Sequence, residues 1–425
     1  MVAGSGAEPV IRLIQSDIAS TLRPMNDVPF GLEPPRSWTP AMPVTGAWLE
    51  GDPIGERKFH ELTADRPFVL EGGGVLEHAV VAYETWGTLN AAADNAVLVC
   101  HALTGDSHAA GPTCPAHPDG GWWDGFVGSG KPVDTDRWFV VCVNVLGGCQ
   151  GTTGPSSINP ETGDRWGMRF PTVTVRDTVR AQAHLATALG IDKWHSVVGG
   201  SMGGMHVLEW ALMYPERVHS LAPIATTVAA TPWQISWSAT GRLALTLDPK
   251  WNHGDYYDAD PGEGPHAGFA VAREIAQVTY RSDEAYQSRF ERHLVDPSDV
   301  FGRWDRFQIE SYLDHHGEKL VRRFDANSYI VLNRTMDLHD VSRGRGSMQQ
   351  AFAALSAPLL TISISSDTLY HPRLQSELAD LARDAGVYVE YHYVESPEGH
   401  DGFLLEAAAV GPALAKFLDS ADELH

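Results

Sequence analysis

The sequence predicts an α/β protein in which a mostly parallel central sheet is flanked by helices and carries a helical insertion late in the chain. Three observations predict it. Short apolar runs with little alternation recur along the chain, as expected of strands buried on both faces of a parallel sheet. Helical periodicity separates several of them, and strand–helix alternation is the pattern of a doubly wound sheet. The alternation then breaks between about residues 230 and 355, where the text is polar, helical in character and rich in Trp, Tyr and Arg.

Taken in order, residues 1–50 are proline-rich and weakly periodic (Pro34-Pro35, Pro40, Pro43), the text of a loosely ordered extension, part of it docked on the body. Arg66–Leu70, the turn Gly72-Gly73-Gly74 and Val75–Thr85 read as an antiparallel hairpin. The buried strands expected next are Ala96–Cys100, Trp138–Val143, Trp194–Val198, Leu221–Ala225, Leu359–Ser363 and Tyr388–Val394. Asp177–Leu189 is the clearest helix: Val179, Ala183, Ala186 and Leu189 recur at helical spacing, and Gly190 stops it. The expected organisation is an extension (1–50), a core (51–229 and 356–425) and a helical lid (230–355).

Composition narrows the function. At 425 residues with 43% hydrophobic and 20% charged residues, the chain can fill a sizeable soluble core. A formal charge of −23 repels phosphate backbones and anionic membranes, so neither nucleic acid nor a membrane is an expected partner. An acyl-coenzyme A substrate would therefore need local positive charge for its phosphates. Cys100, Cys114, Cys142 and Cys149 form no C-x-x-C pair and are too few for a disulfide scaffold. No basic-then-apolar leader and no 18-residue apolar run is present, which predicts a cytoplasmic location. No motif implies a metal.

The chemistry begins at Gly199-Gly200-Ser201-Met202-Gly203-Gly204, which follows the run Trp194–Val198 and precedes the helix-like Met205–Tyr214. This is a G-x-S-x-G nucleophile elbow in its strand–turn–helix context, and it narrows the fold to the α/β-hydrolase type. The sharp turn lifts the Ser201 hydroxyl clear of the sheet and leaves the Met202 N–H available to an oxyanion. In this fold the acid and then the histidine follow the serine. His400 lies just beyond the last strand, and Asp367 caps the strand before it. Asp340 is the rival acid but lies in the insertion; His392 lies within a strand, and His371 precedes Pro372. The second oxyanion donor is expected after Ala96–Cys100, at the Leu103 N–H.

These residues resemble a known family, the homoserine O-acetyltransferases. The resemblance rests on His101-Ala102-Leu103-Thr104-Gly105-Asp106-Ser107-His108, Gly121-Trp122-Trp123-Asp124, Asn144-Val145-Leu146-Gly147-Gly148-Cys149, Gly154-Pro155-Ser156-Ser157, the elbow, and Gly399-His400-Asp401-Gly402-Phe403-Leu404. It covers roughly residues 60–420. It implies that Arg273, followed by Tyr280, and Asp401 hold the amino-acid substrate. A guanidinium suits an α-carboxylate, and a carboxylate suits an α-ammonium. The text departs from the family's at Tyr370-His371-Pro372 and in the long N-terminal stretch. The implied reaction moves acetyl from acetyl-coenzyme A, a co-substrate, through acetyl-Ser201 to the γ-hydroxyl of L-homoserine, with no tightly bound cofactor. The resemblance also implies a homodimer. Alternatives are homoserine or serine O-succinyl transfer on the same scaffold, or a serine esterase.

Overall fold

The computed structural model describes residues 42–297 and 306–424. The described residues fall into two compact units. Of the smaller, residues 1–37 with 292–308, little is described beyond an antiparallel bridge between Leu294 and Phe307. The larger, residues 38–291 with 309–425, holds the sheet and everything below.

Among the described residues twelve strands are formed: β1 (Lys58–Glu61), β2 (Phe68–Val69), β3 (Val75–Leu76), β4 (Val80–Trp86), β5 (Ala96–Cys100), β6 (Val127–Gly128), β7 (Val133–Asp134), β8 (Phe139–Val143), β9 (Trp194–Gly200), β10 (Val218–Ile224), β11 (Leu359–Ile364) and β12 (Val389–Val394). Eight make the central sheet in the order β1-β4-β8-β5-β9-β10-β11-β12. The β1–β4 and β4–β8 pairs are antiparallel; every pair from β8 to β12 is parallel.

The inner strands β5, β8, β9 and β11 are buried along nearly their whole length because both faces of the sheet are covered. In β5, Ala96, Leu98 and Cys100 pack into one core while Val97 and Val99 pack into the other. In β9, Val197 and Val198 divide the same way. Each such side chain contributes roughly 1.5–3 kcal/mol by leaving water. The first core takes in the helices Val175–Ala188, Met202–Met213 and Pro372–Asp384; the second takes in Ala407–Ser420.

Between β10 and β11 comes the insertion, with helices Pro232–Thr246, His266–Tyr280, Asp283–Phe290, Gln308–Arg323, Ala326–Asp337 and Met348–Phe352. The first opens on a capping box between Thr231 and Gln234 with Pro232 at its first position. That end is tied to the loop after β11: Trp233 Nε1 donates to the Thr368 carbonyl (2.7 Å) and Gln234 Nε2 to that of Leu369 (3.1 Å).

One expectation shifts. The strand expected over Val75–Thr85 is broken at Glu77–Ala79: β3 stays with β2, while β4 pairs with β8 and with β1, a strand not expected over residues 58–61. Backbone bonds draw the chain across: Leu62 N–H donates to the Ala79 carbonyl (2.7 Å), and Val80 N–H to Thr153 Oγ1 (2.8 Å). Of the proline-rich stretch, residues 42–50 are described, and they are docked. Met42 and Ala47 are buried, and a Cβ on Gly46 would meet the Arg323 and Phe324 nitrogens at 2.4 Å.

Candidate active site

At the end of β9 the chain turns sharply into helix Met202–Met213, and Ser201 sits at the turn with φ 57° and ψ −123°. A residue with a Cβ is strained there, by ~1–3 kcal/mol, and the surroundings must hold it. They do: Ser201 N–H donates to the Ile224 carbonyl (2.9 Å), and the Ser201 carbonyl accepts from Thr226 Oγ1 (2.8 Å). The flanking glycines are steric requirements. A Cβ on Gly203 would lie 2.1 Å from the Cys100 carbonyl oxygen, and one on Gly204 2.6 Å from Thr226 Cβ.

β10 separates β9 from β11, and the loops after β11 and β12 bring the expected partners to the serine. His400 Nε2 lies 2.9 Å from Ser201 Oγ, and His400 Nδ1 lies 2.7 Å from Asp367 Oδ2. The other Asp367 oxygen accepts the Leu369 and Tyr370 N–H groups, each at 2.8 Å. Both carboxylate oxygens are thus engaged, which fixes the imidazole with its proton on Nδ1 and its lone pair facing the serine. All three side chains are buried. Asp340 is spent elsewhere, accepting from Ser342 N–H and Oγ (2.8 and 2.7 Å), and His392 lies 3.3 Å from Glu390 within β12.

After β5, the loop bearing Leu103 is braced by His101. Its Nε2 accepts the Val145 N–H (3.1 Å), and its Nδ1 lies 2.7 Å from the Ala102 carbonyl. Burial lowers the His101 pKa, so the ring serves as a neutral strut. Among the described residues neither the Leu103 nor the Met202 N–H donates to another group.

The insertion supplies the opposite wall. Tyr280 ends helix His266–Tyr280 with its ring 5.9 Å from the His400 ring, and the Arg273 guanidinium lies 5.1 Å from the Tyr280 ring centre. Asp401, next to the histidine, is 19% exposed and lies 3.9 Å from Arg281. Burial raises its pKa, partly offset by Arg273, His400 and Arg281. The structure therefore brings Ser201, Asp367, His400, Tyr280, Arg273 and Asp401 into one neighbourhood, and Leu103 lies with Met202 in one buried cluster.

Two neighbourhoods were missed. The Tyr370 ring stacks on His400 (4.9 Å, 25°) and its hydroxyl hydrogen-bonds Ser201; burial pushes the phenol pKa up. The cue was visible as the departure at Tyr370-His371-Pro372, three residues past the acid. The second is a buried cluster of Glu84 on β4 with His108 and His117. Glu84 accepts from His108 Nδ1 (2.8 Å) and Ser107 Oγ (3.0 Å), lies 3.2 Å from His117 Nε2, and the two imidazoles stack at 3.7 Å. Burial would raise the Glu84 carboxyl, but the two histidines outweigh it and hold the pKa down at about 2. Burial would lower His108, but Glu84 outweighs it and leaves it raised. Three such side chains could hold a metal ion. Here the carboxylate is already shared by two imidazoles, with the Arg57 Nη2 3.4 Å from His117 Nδ1, so the donor set fits an ion cluster pinning the 101–117 loop to β4 better than a cation site.

Comparisons with known proteins bear on the fold and the family. The profile of the α/β-hydrolase fold family matches residues 95–407. The chain is 51% identical to the homoserine O-acetyltransferase of Thermobifida fusca, over 89% of this chain and 98% of that one. The crystal structure of the homoserine O-acetyltransferase of Bacillus anthracis superposes with a TM-score of 0.78 at 29% identity, covering 85% of this chain and 97% of that one. An acetylester hydrolase from Corynebacterium glutamicum superposes with a TM-score of 0.71 at 25% identity, covering 87% and 97%. The strand order, the elbow and the likeness to relatives over nearly their whole length lead to one assignment: this chain belongs to the homoserine O-acetyltransferase family of the α/β-hydrolase fold.

Proposed function

We propose that the protein transfers the acetyl group of acetyl-coenzyme A to the γ-hydroxyl of L-homoserine, giving O-acetyl-L-homoserine and coenzyme A, in methionine biosynthesis. The observation that carries this reading is the unbroken relay Ser201–His400–Asp367 facing an arginine-bearing helical wall. His400, oriented by Asp367, takes the Ser201 proton, and Oγ attacks the thioester carbonyl. The Leu103 and Met202 N–H groups receive the oxyanion. Collapse expels the coenzyme A thiolate, which takes a proton from His400, and acetyl-Ser201 remains. The homoserine hydroxyl, its proton drawn off by the same histidine, attacks that ester and regenerates the serine.

Arg273 holds the homoserine carboxylate, Asp401 its ammonium, and Tyr280 lines the site between Arg273 and the histidine. The raised Asp401 pKa supports the last pairing, because a cation arriving beside a partly desolvated carboxylate relieves its burial. Transfer rather than hydrolysis requires the lid to exclude water and fix the alcohol. The proposal includes no tightly bound cofactor, a cytoplasmic location and a homodimer.

The test is thiol release from acetyl-coenzyme A and succinyl-coenzyme A, each with and without L-homoserine or L-serine. Release is expected with acetyl-coenzyme A and to depend on homoserine. Equal release without an acceptor would make the protein an esterase, as the acetylester-hydrolase neighbour is named. Preference for the succinyl donor would overturn the choice of acyl group.

A further inference from the structure

A cavity of about 510 Å³ adjoins the lid side of the site, with Arg273 and Leu404 among its lining residues. Both tie it to the relay: Arg273 packs on Tyr280, and Leu404 follows Phe403, whose ring lies 5.3 Å from the His400 ring. Its lining includes five cations, Arg57, Arg273, Lys319, Arg322 and Arg323, against three carboxylates. A locally positive hollow is unexpected in a chain with a formal charge of −23. His316, also in the lining, has its pKa lowered to about 4, first by burial and then by Arg273, His315 and Lys319.

Some of these cations are engaged. Lys319 and Arg323 lie 3.3 and 3.4 Å from Asp119, and Arg322 pairs with Glu318 at 2.6 Å. Arg57 is different. It is 5% exposed, and its Nη2 donates to Gln150 Oε1 (2.9 Å) and the Ala116 carbonyl (3.3 Å). Its Nε and Nη1 have no hydrogen-bond partner, and among the described residues it makes no ion pair. A guanidinium withdrawn from water with two donors unused is costly. An anion with paired oxygens is the ligand that its planar fork fits.

We propose that this cavity is the phosphate subsite for the acyl donor, with Arg57 gripping one phosphate from below and Lys319, Arg322 and Arg323 neutralising the others at the rim. The inference rests on the acetyl-coenzyme A reading above. The donor's thioester must reach Ser201 while its phosphates, at the far end of the pantetheine arm, lie away from it. The cavity adjoins the site without including Ser201, His400 or Asp367 in its lining, as that division requires.

The experiment compares two donors, acetyl-coenzyme A and the phosphate-free thioester S-acetyl-N-acetylcysteamine. Arg57→Gln is expected to raise the KM for acetyl-coenzyme A about tenfold or more while leaving kcat/KM for the short thioester within about twofold. Lys319→Gln with Arg322→Gln, on an exposed helix face, tests the rim should Arg57→Gln fail to fold. It is expected to raise the same KM and to flatten its dependence on salt. Adenosine 3′,5′-bisphosphate is expected to compete with acetyl-coenzyme A in the wild type and to bind Arg57→Gln more weakly by calorimetry. An unchanged KM for acetyl-coenzyme A, or equal losses with both donors, would overturn the subsite. If the wild type releases no thiol from acetyl-coenzyme A while the bisphosphate still binds through Arg57, the functional reading fails and the anion site stands.

Discussion

The half of the site carried by the sheet and the half carried by the insertion are built on different terms. On the sheet side Ser201, His400 and Asp367 are buried, joined at 2.9 and 2.7 Å, and the acid's second oxygen is held by two backbone N–H groups. On the insertion side Arg273 is only half-buried and meets Tyr280 through a ring contact rather than an ion pair. The sheet side is complete before any substrate arrives. The insertion side holds charge that a substrate would complete. On the proposed function, chemistry is preorganised, whereas recognition is left open to be finished by the ligand.

The comparison can be broken at several points. Ser201→Ala should have the largest effect, a fall in kcat on the order of 10⁶-fold, with no acetyl-enzyme detectable by mass spectrometry. A residual acetyl-enzyme would place the nucleophile elsewhere. Glu84→Gln tests whether the sheet side is prefabricated, since it removes the buried carboxylate that His108 and His117 share. We expect a loss of roughly 3 kcal/mol of stability at pH 5.5, read by denaturant unfolding. Glu84 is held at about 2, below the usual 4.5, so its contribution is present above about pH 4.5 and lost as pH falls towards 2. His108 is raised, so its contribution is present below 6.5 and lost as pH rises through its folded value. The gap between wild type and variant should therefore be widest between pH 4.5 and 6.5; a gap independent of pH would show that the cluster is held by packing alone.

Arg273→Ala should have the smallest effect and the most selective one. Losing one charge-assisted grip of about 2 kcal/mol corresponds to roughly a 30-fold rise in the homoserine KM. Acetylation of Ser201 in the absence of homoserine should stay within about twofold. Equal damage to both half-reactions would erase the division between the two sides.

How much of this was legible follows the same line. The elbow is six consecutive residues, and its strand and helix are its immediate neighbours, so Ser201 could be read locally. Asp367 could be read because it follows the plain apolar run of β11, and His400 because it follows the last strand-like text, Tyr388–Val394, in which Glu390 and His392 interrupt the apolar residues. Arg273, Tyr280 and Asp401 came only from resemblance, since no local rule says which face of a lid helix meets the sheet. The Glu84 cluster was illegible for another reason. Glu84 reads as a polar residue in a half-covered strand, and His108 and His117 lie in a loop without periodicity, so only the loop's path brings them together. Arg57 was missed likewise, because an unused hydrogen-bond donor is a property of a three-dimensional neighbourhood. The hairpin ran too far because the three residues Glu77–Ala79 contain no glycine or proline to mark a break, and strand-like text resumes at Val80 whichever sheet the chain joins.

The insertion also separates β10, which ends at Ile224, from β11, which begins at Leu359. A ribosome therefore delivers Ser201, the proposed nucleophile, long before Asp367 and His400, its proposed acid and base. Closing so wide a gap is entropically slow relative to local folding, and the β10–β11 pairing that closes it comes after the elbow can form. A nascent or truncated chain ending before Leu359 carries Ser201 without Asp367 or His400, and on the proposed mechanism has no base to deprotonate it. The order of segments along the polypeptide thus acts as a safety catch, released only when synthesis is nearly finished.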